Sequence, residues 1–101
     1  MSISITSQSF TLAAATPTLI SQTNAGRKIL RLDVNGTNPA TFKFGVGPAS
    51  ALDGIPLAAA PAVGQPGGNI FLSEGDAPID AVYAYSTLGT TVTVSEGIEY
   101  A

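Results

Sequence analysis

The sequence predicts an all-β fold: a small antiparallel β-sandwich or jelly-roll-like barrel of about seven or eight short strands. Three observations lead there. Apolar and polar residues alternate at period two in several short stretches. Turn-forming residues break the chain about every eight to twelve positions, as sandwiches and barrels require. No helical period survives between the 11 glycines and 7 prolines. The 101 residues read as one domain, 1–101, with 1–12 as either an extended N-terminal arm or an edge strand.

Taken in order, the first strand is predicted over 2–6, where Ile3 and Ile5 alternate with Ser2, Ser4 and Thr6; Phe10 and Leu12 repeat the alternation. Three alanines (13–15) have helix propensity, but Pro17 follows at once and biases Thr16 away from the helical region. A short apolar piece over 18–21 precedes the turn Thr23-Asn24-Ala25-Gly26. Residues 28–34 put Leu30, Leu32 and Val34 on one face and Ile29, Arg31 and Asp33 on the other. Residues 40–46 likewise put Ala40, Phe42, Phe44 and Val46 opposite Thr41, Lys43 and Gly45. Between them, Asn35-Gly36-Thr37-Asn38-Pro39 reads as a hairpin connection, because Asn and Gly tolerate positive φ. That hairpin would let Arg31 and Asp33 pair with Lys43 across a solvated face.

Glycine and proline punctuate 45–68 so densely that only 55–58 reads as extended, and the rest as loop of the kind that carries contacts. Ile70, Phe71 and Leu72 read as a buried strand over 69–73, followed by the turn Glu74-Gly75-Asp76-Ala77-Pro78. In 81–86, Ala81, Tyr83 and Tyr85 share one face and Val82 and Ala84 the other. Leu88-Gly89 then turns the chain into 90–96, where Val92 and Val94 alternate with Thr91, Thr93 and Ser95, as a second hairpin.

Composition excludes whole classes of chemistry. Without His or Cys there is no imidazole acid–base pair, no thiolate nucleophile and no nitrogen–sulfur metal site, and Lys28 and Lys43 are the only bases to activate a hydroxyl. The expectation is no enzyme, no catalytic residue, no metal and no cofactor. Glu74, Asp76 and Asp80 are oxygen ligands by type, but their spacing is not that of a calcium loop and Pro78 interrupts it. The segment Gly64-Gln65-Pro66-Gly67-Gly68-Asn69 lacks the Gly-Lys-Ser/Thr ending of a phosphate loop. Four Lys and Arg against seven Asp and Glu, a net charge of −3, leave no basic patch for nucleic acid. Apolar runs are broken every few residues, so no segment spans a membrane, and residues 1–7 lack the pattern of a signal peptide. A mean hydropathy of +0.31 is high for a small free-standing monomer and points to apolar surface that meets another protein. For an aromatic sugar platform Tyr83, Tyr85 and Tyr100 are the only tyrosines and there is no tryptophan, and the first two read as core or interface.

Thr23-Asn24-Ala25-Gly26-Arg27-Lys28 leads into an apolar strand; Asn35-Gly36-Thr37-Asn38-Pro39-Ala40 leads to Phe42-Lys43-Phe44-Gly45. A loop through Gly67-Gly68 and the closing segments Val82-Tyr83-Ala84-Tyr85-Ser86 and Gly89-Thr90-Thr91-Val92 complete the layout, over roughly residues 20–97. This layout resembles small virion structural proteins of tailed bacteriophages. The resemblance implies a capsid decoration (cement) protein on the outside of the head, made in the host cytoplasm, homotrimeric, bridging major capsid proteins to stabilise the shell. It carries over no catalytic or cofactor residue. Tail, collar and head-fibre components are built from similar modules, and the rival from another class is a carbohydrate-binding adhesion module. On the residues alone, the partner-binding segment is the N-terminal strand, with Ile3, Ile5, Phe10 and Leu12 able to add to an exposed sheet edge.

Overall fold

A computed structural model describes residues 2–45, 53–62, 65–73 and 77–100. Eight strands follow one another: β1 (Ser2–Leu12), β2 (Thr18–Ser21), β3 (Arg27–Val34), β4 (Ala40–Phe44), β5 (Ile55–Leu57), β6 (Asn69–Leu72), β7 (Val82–Tyr85) and β8 (Thr90–Tyr100). They form two four-stranded antiparallel sheets, ordered β1-β8-β3-β6 (sheet I) and β2-β7-β4-β5 (sheet II). The all-β sandwich is therefore as the sequence predicts. The pairs β1·β8, β2·β7, β3·β6 and β4·β5 are nested, as in one long hairpin rolled up, which is the jelly-roll arrangement.

Rolling the chain this way overturns both predicted hairpins. β3 and β4 lie in different sheets, as do β7 and β8; among the described residues, β4 and β5 are the only chain neighbours that pair. The reason is visible at Asn35-Gly36. A two-residue hairpin turn of the Asn-Gly type needs positive φ at both residues, and neither is in that region. Their N–H groups instead donate to the Thr91 carbonyl of β8, at 2.8 and 3.1 Å. Gly36 is required there for space: a Cβ would overlap Thr90 Oγ1 and lie 2.8 Å from the Thr91 nitrogen. Asn38 Nδ2 donates to Gly89 O and Ser86 Oγ to Pro39 O, each at 2.8 Å, so the two crossing segments brace each other at one end of the sandwich. The expected contact of Arg31 and Asp33 with Lys43 is lost too. Arg31 Nε sits 3.1 Å from Asp33 on its own strand, and Lys43 pairs with Asp53.

Side-chain parity then places the core. The inward rows of sheet I are Phe10–Val92–Val34, Gln8–Val94–Leu32–Ile70 and Thr6–Glu96–Leu30–Leu72. Facing them from sheet II are Ile20, Ala40, Phe42, Val82 and Ala84. Leu30, Leu32, Val34, Phe42, Val82, Ala84 and Val92 are fully buried in one cluster. At about 1.5–3 kcal/mol for each large apolar side chain, this cluster holds the two sheets together. β1 is longer than predicted because its hydroxyls continue the pairing. Ser7 Oγ meets Ser95 Oγ at 2.8 Å and Ser9 Oγ meets Thr93 Oγ1 at 3.1 Å, so Ser7 to Ser9 stay in the strand.

Candidate assembly surface

A β-strand at a sheet edge leaves alternate N–H and C=O groups unpaired, and proteins blunt such edges with short strands, bulges, proline or charge. This sandwich has four edge strands, and three are blunted. β5 has three residues with Pro56 at its centre, β2 has four with a register shift between Leu19 and Ser21, and β6 has four. β1 is different. It runs for 11 residues, Ser-Ile-Ser-Ile-Thr-Ser-Gln-Ser-Phe-Thr-Leu, without a charge, a proline or a glycine, and it pairs with β8 in unbroken register from Ser2↔Tyr100 to Leu12↔Thr90. Its other side pairs with no strand among the described residues.

Of the four residues expected to bind a partner, the fold brings only two to one surface. Ile3 and Ile5 face outward, 41% and 66% exposed. Phe10 and Leu12 point inward: Leu12 is 2% exposed in the core and Phe10 packs against that core. The segment is an edge strand of its own sheet and not a separate arm.

The outer face of sheet I has two halves. At one end, Ile5, Gly97 and Ile29 form a row, and the missing side chain at Gly97 lets Ile29 and Ile3 close over the backbone: a Cβ there would be 2.9 Å from Ile29 Cβ and 3.1 Å from Ile3 Cγ2. Phe71, 59% exposed, lies on the same face at the β6 edge, opposite Arg31. Reading 69–73 as buried misses it, although alternation between Ile70 and Leu72 points Phe71 outward on a strand with one covered face. At the other end the hydroxyl pairs of Ser7, Ser9, Ser95 and Thr93 make a polar ladder, and Thr93 Oγ1 donates to Asn35 Oδ1 at 2.5 Å.

Beneath β8 lies a polar cluster that no local sequence pattern announces. Arg27 is 1% exposed, and its guanidinium is fully engaged. Nη1 donates to the carbonyls of Pro78 and Asp80 at 2.9 and 2.8 Å, and Nη2 to Ser21 Oγ and Gln22 O at 2.7 Å each. Nε lies 3.4 Å from Glu96 Oε2, while Ser21 Oγ donates to the other carboxylate oxygen. This arrangement ties β2, β3, β8 and the 78–80 segment into one unit. Its hydroxyl, guanidinium and carboxylate are all committed to one another. A cavity of about 360 Å³ opens beside it between β1 and β2, lined by Gln8, Phe10, Leu19, Gln22, Asn24 and Glu96.

On sheet II, Val82 and Ala84 take the core, which turns Tyr83 and Tyr85 to the outer face beside Leu19, Lys43 and Thr41. A groove of about 370 Å³ at that face is lined by Pro39, Thr41, Pro56, Tyr85 and Leu88. No group of three or more His, Cys, Asp or Glu that could hold a metal occurs among the described residues. Val46, Gly64, Glu74 and Asp76 lie outside them. No helix among the described residues is long and apolar enough to cross a membrane.

No protein-family model matches the sequence, and no curated protein matches it. Among solved structures, the chain is similar to one from work described as "Bacillus endospore appendages form a novel family of disulfide-linked pili", at a TM-score of 0.45 and 19% identity, over 97% of this chain and 88% of that one. A likeness at this level carries no argument about function.

Proposed function

We propose that the chain is a virion structural subunit of the capsid decoration type, which stabilises an assembled head by bridging major capsid proteins. The observation that carries the reading is the open edge of β1: 11 uncharged residues, unblunted, with Ile3 and Ile5 exposed beside it. A strand of this kind is a template for pairing with another chain. The hydroxyls of the outer face support it as well. Because Ser9 donates to Thr93, Thr93 to Asn35, and Ser7 and Ser95 share one bond, a neighbour that covers these hydroxyls has only one remaining O–H donor to meet. The stabilisation follows from mass action. A ligand that binds only the assembled shell favours that state by about 2.7 kcal/mol at a hundred times its dissociation constant.

The test is quantitative mass spectrometry of purified particles from the source, scaled to the major capsid protein. The decoration reading expects hundreds of copies per particle; a handful moves the protein to the tail, collar or head fibre, and absence refutes a virion role. A second reading, a carbohydrate-binding module, is favoured by the outward-facing Tyr83 and Tyr85 beside the sheet II groove. A glycan array decides it, since a cement protein binds no sugar.

A further inference from the structure

We infer that β1 pairs with β1 of a second copy of this chain, antiparallel about a two-fold axis, joining two copies of sheet I into one continuous sheet. The inference rests on the reading of β1 as an assembly edge and seats a second copy there, which leaves the capsid contact to the outer face of the joined sheets. An isologous contact needs a surface that complements itself, and β1 satisfies this in a way the other edges do not. It carries no charge, so no register sets like charges opposite one another. The edges of β2, β5 and β6 are short, and β2 is bulged and β5 holds Pro56, so among the described residues only β1 offers a full-length edge to an incoming β1.

Register follows from the length of overlap. Centring the pair on Ser4 would match isoleucine with isoleucine but engage only residues 2–6. Centring it on Ser7 engages all 11 residues, and with them every outward N–H and C=O of the edge. In that register Ser7 meets Ser7, Ile5 meets Ser9 and Ile3 meets Thr11, so the odd-numbered residues of both copies share the outer face. Thr6 and Gln8 meet on the inner side.

The chain has no cysteine, so a single introduced thiol reports the register without background. Directly opposed residues of an antiparallel pair have Cα atoms about 4.5–5.5 Å apart, within the range a disulfide spans. Under mild oxidation, Ser7→Cys is expected to give a disulfide-linked dimer as its main product, and Thr11→Cys, which faces Ile3 of the other copy, essentially none. Light scattering of the unmodified chain at about 100 μM, above a micromolar dissociation constant, is expected to give twice the 10.2 kDa chain mass. Ser7→Lys places two like charges at the axis and is expected to weaken the dimer more than tenfold with an unchanged circular dichroism spectrum. A monomer at that concentration, a trimer, a dimer that Ser7→Lys leaves intact, or equal cross-linking at both positions would each overturn the pairing. A monomer that co-sediments with particles overturns the pairing and leaves the decoration reading standing. A disulfide-linked dimer of the Ser7→Cys variant, from a protein that is absent from particles, supports the pairing and sinks that reading.

Discussion

Replacing Arg27 by methionine keeps most of the side-chain volume and removes every donor, so it isolates what the guanidinium does. Five contacts are lost: the carbonyls of Pro78, Asp80 and Gln22, the Ser21 hydroxyl and the Glu96 carboxylate. Four of these are at 2.7–2.9 Å, whereas the contact to Glu96 is 3.4 Å. Glu96 also keeps its bond from Ser21 and is 17% exposed, so water offsets part of the loss there. Removing one member of a buried polar network costs about 3–5 kcal/mol, with about 1 kcal/mol for each carbonyl left without a donor. That is a large part of the roughly 5–15 kcal/mol expected for a domain this size. With a urea slope of about 1–3 kcal/mol per molar, the unfolding midpoint should fall by about 2 M, read by far-ultraviolet circular dichroism. The same geometry makes Glu96→Gln milder, at about 2 kcal/mol: the amide oxygen keeps the bond from Ser21, and the NH2 group in place of the second oxygen gives up only the long 3.4 Å contact with Arg27. The reasoning is wrong if Arg27→Met costs less than about 1 kcal/mol. It is equally wrong if Glu96→Gln costs as much as Arg27→Met, because the ion pair and not the carbonyls would then be the main support.

Three further changes test the fold at single atoms. Gly36→Ala forces a Cβ into Thr90 Oγ1 and to within 2.8 Å of the Thr91 nitrogen, and should cost about 2–3 kcal/mol in urea unfolding. Thr90 Oγ1 is buried with no hydrogen-bond partner, so Thr90→Val should raise stability by about 1 kcal/mol, seen as a thermal midpoint about 4–8 °C higher. Lys43→Ala removes a surface ion pair whose partner, Asp53, is 55% exposed, and should change stability by less than about 0.5 kcal/mol.

The strands are legible in the sequence because alternation is local: Leu30, Leu32 and Val34, or Val92 and Val94, declare a covered face within a few residues. Which strands pair is not, because the jelly roll closes through partners far apart in the chain. Ser2 lies opposite Tyr100, and Leu12 opposite Thr90. Asn35-Gly36 and Leu88-Gly89 carry turn chemistry that suits a hairpin and a sheet-to-sheet crossing equally, and only the Thr91 carbonyl decides the first. Tyr83 and Tyr85 are ambiguous for a different reason: both faces of β7 are apolar, so parity alone cannot choose the core side. Ile3 and Ile5 are readable as edge residues, yet Phe10 and Leu12 share their strand and face the other way, since the two outward isoleucines are odd-numbered and the inward pair even-numbered. The Arg27 cluster leaves no local trace. Its partners come from β2, β8 and the 78–80 segment, up to 69 residues away.

The pairing that closes the fold also builds the proposed interface. β1 acquires its fixed, extended shape only by pairing along its whole length with β8, the strand furthest from it in the chain. Until 90–100 are in place, residues 2–12 have no reason to be straight, and their outward N–H and C=O groups point in no common direction. A neighbour can therefore read the β1 edge only on a chain that has completed its roll. The same order limits misassembly: pairing of unfinished chains through this uncharged segment is the hazard such an edge creates, and the long-range β1·β8 contact is what withholds a regular template until folding is complete. Conversely, a change on β8 that displaces β1 locally should disturb assembly through the edge it no longer holds straight. Gly97→Ala is that change. Its Cβ meets Ile29 and Ile3 on the outer face, where Ile3 belongs to β1 and Ile29 to β3. If assembly reads the edge, this variant loses association more than it loses stability; if the two fall in parallel, β1 is an ordinary edge strand and the interface lies elsewhere.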